Sequence, residues 1–86
     1  MNMDDFKLEL KALQNKDMED AKAAGFEDKD AWVRHIINAE KDEVAEAVQD
    51  LAKRYGVQDN VVAYYFDPTM FIRLSKLKAS NKNMTM

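Results

Sequence analysis

The spacing of apolar residues along the chain predicts a series of short amphipathic helices. Within residues 4–24, Phe6, Leu10 and Leu13 follow one another at intervals of four and three, and Gly25 marks the end of that segment. Further stripes at helical spacing are Trp32, Val33, Ile36 and Ile37, then Val44, Val48, Leu51 and Tyr55, and finally Met70, Phe71, Leu74 and Leu77. The stripes together predict an all-α fold, a small bundle of four or five helices.

Two stretches leave the helix boundaries open. The polar run AEKDE between the second and third stripes holds no Gly or Pro, so the helices at 28–38 and 42–55 are either two helices or one continuous helix. Asp28 is expected to cap the first of them. The second half of the first segment, NKDMEDAKAA, has only a thin apolar stripe, which predicts a break near Asn15 to Asp17 or an exposed helix that depends on a partner.

The stretch from Leu51 to Pro68 predicts a tight corner between two helices. Gly56 ends the third helix and supplies a left-handed backbone position, which other residues reach at a cost of roughly 1–2 kcal/mol. A short helix then follows at about 59–66. Asp67 is expected to cap the last helix, with the proline in its first turn.

Length and composition narrow the class of protein. The chain has 86 residues, enough for one domain, which we expect at residues 1–79 with a flexible C-terminal tail at 80–86. The absence of cysteine excludes disulfides and thiolate metal sites. The longest apolar run, Val61 to Phe66, is too short to span a bilayer, and the charged N-terminus is unlike a secretory signal. We therefore expect a soluble cytoplasmic protein without a membrane partner.

Charge is divided unevenly between the two halves of the chain. Residues 1–50 hold fourteen Asp and Glu against seven Lys and Arg, a net charge of −7. Residues 51–86 hold two acids against six bases, a net charge of +4. Such a division is typical of a nucleic-acid-binding side opposite an acidic side, and equally of solvated helix faces that happen to differ.

The corner also carries a motif. Ala52 is a small residue where a second helix would cross, and Gly56 and Val57 follow four and five positions later. The sequence LAKRYGVQDNVVAYYF, residues 51–66, resembles the helix-turn-helix superfamily, and within it the tetracycline-repressor type. The resemblance implies a helix-turn-helix at about 43–66, whose second helix enters the major groove of DNA.

The register of that second helix divides its side chains between two faces. Val62 and Tyr65 are expected to pack toward the third helix. The outward positions are Gln58, Asp59, Asn60, Ala63, Tyr64 and Asp67. None of these is basic, and the family's usual lysine falls at Thr69. The two outward amides suit paired hydrogen bonds with adenine, and the outward tyrosine suits a phosphate contact.

Two functional hypotheses follow. The first is a small helix-turn-helix regulator that binds DNA through the 59–66 helix and flanking basic residues, with a homodimer adding to the limited affinity of one short helix. Its predicted nucleic-acid-binding residues are Gln58, Asn60, Tyr64, Lys53, Arg54, Arg73 and Lys76. The second is a non-enzymatic adaptor or inhibitor of the phage or mobile-element type, which binds a protein through its acidic N-terminal half and exposed aromatics. Consecutive aromatics at 64–66 are about 100° apart on a helix, so at least one ring, most simply Tyr64, is expected at the surface.

No motif in the chain points to an enzyme or a cofactor. His35 is the only histidine, and no Ser or Thr stands near it in sequence. The acids of FEDKDAW lack the glycine and the bidentate glutamate of a calcium loop, and the two glycines of the chain form no phosphate-binding loop. We therefore expect no catalytic residue, no metal site and no cofactor.

Overall fold

Five α-helices make up the fold. The computed structural model describes the backbone of residues 3–84 and the side chains of residues 3–79. The helices are α1 (Met3–Ala23), α2 (Lys29–Asn38), α3 (Glu43–Tyr55), α4 (Asp59–Tyr65) and α5 (Pro68–Met84), and residues 3–84 contain no strand. The all-α prediction is confirmed. The molecule is flattened, with extents of 37 × 35 × 17 Å.

Side-chain caps decide where α2 and α3 begin. The Asp28 carboxylate accepts a hydrogen bond from the backbone N–H of Asp30, as predicted for the start of α2. The Asp42 carboxylate accepts the N–H of Ala45 at 3.0 Å, so α3 starts afresh and α2 and α3 are two helices. Helix α1, by contrast, is continuous, and the break predicted near residues 15–17 does not occur.

The corner between α3 and α4 has the predicted glycine conformation. Gly56 has a φ of +66°, in the left-handed region, and no atom lies within 4 Å of the position that a Cβ would take. The Val57 N–H donates to the Ala52 carbonyl at 2.9 Å and closes the end of α3. At the next junction the Asp67 carboxylate accepts hydrogen bonds from both the N–H and the hydroxyl of Thr69. The predicted cap of α5 is therefore confirmed.

Helix α5 continues past the end that the sequence predicts for the domain. Its backbone is helical to Met84, whereas the apolar periodicity ends near residue 79. The predicted domain end at 79 therefore falls inside α5, and the flexibility of the tail at 80–86 stays a prediction.

The hydrophobic core lies where α1, α3, α4 and α5 meet. Helix α1 packs along α3, and both α3 and α4 pack against α5. The buried core residues are Phe6, Leu10, Val44, Ala45, Val48, Leu51, Ala52, Val62, Phe66, Met70 and Leu74. Fully burying one side chain of the Val, Leu or Phe class contributes about 1.5–3 kcal/mol, so this cluster is the main source of folding free energy.

Three side chains lie on faces other than those predicted. Tyr65 is 39% exposed and Phe71 is 46% exposed, whereas Ala63 is only 7% exposed. Helix α4 has seven residues and packs mainly on α5 rather than on α3, so its buried face is rotated from the predicted one. On α5 the buried face is taken by Met70 and Leu74, which leaves the neighbouring phenylalanine at the surface. The predicted inward positions of Tyr65 and Phe71 and the outward position of Ala63 are therefore wrong.

Candidate partner-binding site

A groove runs between the end of α3, the start of α4 and the middle of α5. It encloses a volume of about 580 Å³. We call it the α4 groove and define it by Lys53, Gln58, Asn60, Phe71 and Lys78, which all line it. The left-handed turn at the end of α3 directs α4 away, and the packing of α4 on α5 brings Gln58, Asn60 and Phe71 to the same groove. Three of the predicted nucleic-acid-binding residues, a lysine and both amides, therefore lie together.

Tyr64 extends this surface along α4. It lies one helical turn after Asn60, on the same stripe of the helix, and its side chain is 82% exposed. Its ring contacts the ring of Tyr65 edge-on, with centroids 5.1 Å apart. On the other side, the Lys7 ammonium of α1 lies 4.7 Å from the centroid of Tyr65. The predicted surface position of Tyr64 agrees with the structure.

Two of the basic side chains near the groove, Arg54 and Lys78, already form ion pairs. The Lys78 ammonium pairs with the Asp59 carboxylate at 2.5 Å. The Arg54 guanidinium lies 3.6 Å from the Glu9 carboxylate of α1, and both side chains are largely exposed. Lys53 has no ion-pair partner among the described residues. Within residues 3–79, the groove therefore presents one cation without an ion-pair partner, Lys53, beside amide and aromatic groups.

Arg73 is buried, whereas its predicted role in binding nucleic acid requires a position at the surface. It is 3% exposed, and its guanidinium donates hydrogen bonds to two carboxylates, to Asp17 at 3.0 Å and to Asp42 at 2.8 Å. Burial alone would lower the pKa of Arg73, but the hydrogen bonds and charges of Asp42 and Asp17 outweigh it and hold that pKa above its usual value. The predicted surface position of Arg73 is therefore wrong, because a buried guanidinium is retained where carboxylates surround it.

We call this buried cluster the arginine junction and define it by Arg73, Asp17, Asp42 and Trp32. The Trp32 indole N–H donates to the Asp17 carboxylate at 3.1 Å. The junction ties α1, α2, the cap of α3 and α5 together. One sequence signal for it exists. The apolar stripe of α1 that contains Leu13 continues four residues later at Asp17. An acidic residue on an apolar stripe indicates a buried partner.

Lys76 also lies apart from the α4 groove. Its ammonium donates to the carbonyl of Ala39 at 3.2 Å, at the end of α2. The negative end of the α2 dipole stabilises a cation at this position. Of the seven predicted residues, Gln58, Asn60, Tyr64 and Lys53 therefore share one surface, Arg54 lies beside α1, and the remaining two lie elsewhere.

Two kinds of feature, a metal-binding cluster and a membrane-spanning helix, are not found in the part of the chain that the structure describes. No group of three or more His, Cys, Asp or Glu side chains there could hold a metal ion. Within residues 3–84 no helix has both the length and the apolar character needed to cross a membrane.

Comparison with known proteins finds no matching family model, no matching curated protein and no matching solved structure.

Proposed function

We propose that this protein is a small non-enzymatic binding module that recognises a protein partner through the α4 groove and the exposed aromatics beside it. One observation carries the proposal. Large aromatic side chains are exposed on both helices that border the groove: Tyr64 and Tyr65, whose rings are in contact, on α4, and Phe71, which lines the groove, on α5. Apolar clusters on a surface mark interaction sites, and aromatic side chains dominate the energetic centres of protein interfaces.

The polar groups of the surface support the same function. Gln58 and Asn60 are exposed and have no side-chain partner among residues 3–79, so their amides are free to pair with a partner's backbone. Lys78 is already neutralised by the adjacent aspartate. A surface with aromatic, amide and few charged groups resembles the composition of an interface core, where charged residues are depleted.

The charge of the N-terminal half defines the kind of partner. Its net charge of −7, from fourteen acids and seven bases, attracts a basic protein and repels a polyanion. Such long-range attraction raises the association rate and is screened by salt. Residues 51–86, which hold most of the α4 groove, carry a net charge of +4 instead. We therefore propose a partner whose apolar contact area faces the groove and whose basic region faces the acidic N-terminal half.

Site-specific crosslinking tests the proposed surface. A photo-reactive phenylalanine analogue replaces Tyr64 in one variant and Leu8 in the other, and each is expressed in the native host. Leu8 is a matched control because it is also a large exposed apolar residue, 70% exposed, but lies on α1. We expect a discrete adduct from position 64 and none from position 8. Equal adducts from both positions, or none from position 64, would overturn the proposal.

A second candidate function is DNA binding, and the grouping of Lys53, Gln58 and Asn60 in one groove favours it. A glycine in the turn before a short helix, as at Gly56, is also common in helix-turn-helix motifs, which supports this candidate. Binding to random-sequence duplex must then weaken steeply as salt rises. The double change Lys53→Ala with Arg54→Ala should weaken it on all sequences, whereas Lys11→Ala on α1 should not. Absence of binding at low salt excludes this candidate.

A further inference from the structure

A second concavity lies between α1 and α2 and shares no residue with the α4 groove. It encloses about 320 Å³, and its walls are mostly apolar. The side chains that form those walls are Met18, Ala21, Phe26, Trp32 and Phe66. The volume lies within the range of roughly 300–1,000 Å³ that small-molecule sites occupy. We call this concavity the α1–α2 pocket.

The aromatic wall of the pocket is held in place before any ligand binds. Phe26 meets Trp32 edge-on, with ring centroids 5.7 Å apart. The indole N–H is bonded to Asp17, and that carboxylate is bonded to Arg73. The arginine junction therefore holds the indole in place through its N–H. A preformed wall lowers the conformational cost of binding.

Most polar groups around the pocket already have partners. The Gln14 amide donates to the Phe66 carbonyl at 2.6 Å, and the Asp28 carboxylate caps α2. The Lys29 ammonium pairs with the Asp67 carboxylate. The two charged lining residues that have no partner within residues 3–79 are Lys22 and Glu27, which carry opposite charges.

We propose that the α1–α2 pocket binds a small aromatic zwitterion of the amino-acid class. The aromatic ring enters between Trp32 and the other apolar walls. The carboxylate of the ligand pairs with the Lys22 ammonium, and its ammonium pairs with the Glu27 carboxylate. The ring supplies affinity by burial, whereas each of the two exposed ion pairs raises the affinity about two- to fivefold and so selects the ligand.

Fluorescence of the protein provides a direct readout, because Trp32 is the only tryptophan and lines the pocket. L-phenylalanine is the probe, since its ring does not absorb where tryptophan is excited selectively. Phenylpropionate lacks its ammonium, and phenethylamine lacks its carboxylate. We expect a saturable fluorescence change with L-phenylalanine, and affinities about two- to fivefold lower for each analogue.

Charge variants assign each end of the ligand. In Lys22→Gln, L-phenylalanine should bind no more tightly than phenethylamine, because the carboxylate has lost its partner. In Glu27→Gln, it should bind no more tightly than phenylpropionate. If both variants keep the wild-type order of the three probes, the assignment of the two charges is wrong.

A steric pair of variants tests the location. Ala21→Leu fills the pocket, whereas Ala23→Leu places the same side chain at an exposed site of α1 outside the pocket. Binding should be lost in the first variant and kept in the second, with the helical circular dichroism of both unchanged. Absence of a saturable response in the wild type at millimolar probe, or binding retained by Ala21→Leu, overturns the proposal. Neither result bears on the protein-binding surface, which lies on other residues.

Discussion

Arg73 and Lys53 belong to the same predicted set, yet the structure gives them opposite surroundings. Arg73 lies in the arginine junction, 3% exposed and bonded to two carboxylates from distant parts of the chain. Lys53 lies exposed at the α4 groove without an ion-pair partner in the described residues. A basic side chain thus stabilises the fold where carboxylates from several helices surround it. Where no carboxylate is close, the side chain remains available for binding.

The largest expected effect breaks the arginine junction. Arg73→Met should lower the free energy of unfolding by about 3–5 kcal/mol, because two buried carboxylates lose their counter-charge. Urea denaturation measures the loss. The matched control is Lys78→Met on the same helix, whose exposed pair with Asp59 should be worth at most about 1 kcal/mol. Similar losses in the two variants would contradict the distinction between junction and groove.

A smaller effect is expected at the corner that leads to the groove. Gly56→Ala should cost about 1–2 kcal/mol, because an L-residue is strained at this left-handed φ although the space around it is open. Gly56→Asn should cost less, since asparagine tolerates that conformation better. Thermal melting compares the two variants. If alanine and asparagine are equally tolerated, backbone strain does not control this corner.

The stability of the protein should depend on pH through Tyr55, which packs partly buried against the core. The Tyr55 hydroxyl donates to the Glu9 carboxylate at 2.7 Å, and this bond, with partial burial and nearby negative charge, raises the pKa of Tyr55. The folded pKa exceeds the unfolded value of about 10, so the associated stability is complete below that pH and is lost as pH rises through the folded pKa.

Ultraviolet absorbance titration of the tyrosines measures this shift. The component that titrates at the highest pH should disappear in Tyr55→Phe and should move to lower pH in Glu9→Ala, which removes the acceptor. An unchanged titration in Glu9→Ala would show that the hydrogen bond is not its cause.

The smallest stability effect is expected on the binding surface itself. Tyr64→Ser should change the free energy of unfolding by less than about 0.5 kcal/mol, because the side chain is 82% exposed. Leu74→Ala, in the core of the adjacent helix, should cost about 2–5 kcal/mol. A large loss for the tyrosine variant, measured by the same urea denaturation, would mean that the ring supports the fold rather than binding.

Local signals predicted much of the architecture. Gly56 and the caps at Asp28 and Asp67 act within a few residues of themselves, so their types and spacing suffice to place helix ends. The predicted faces of α4 were less reliable, because packing on α5 decided which side of a two-turn helix is buried. Tyr64 was placed correctly, whereas Tyr65 and Ala63 were not.

The sequence by itself determined that the chain forms helices, where most of them begin, and that one tight turn precedes a short helix. Tertiary structure alone decided that Arg73 meets Asp17, 56 positions earlier in the chain, and that Lys53 has no ion-pair partner among residues 3–79. The physical reason is range. Capping and glycine conformation act along the backbone between near neighbours, whereas pairing of charges depends on which helices pack together. The candidate binding surface is what that packing leaves exposed.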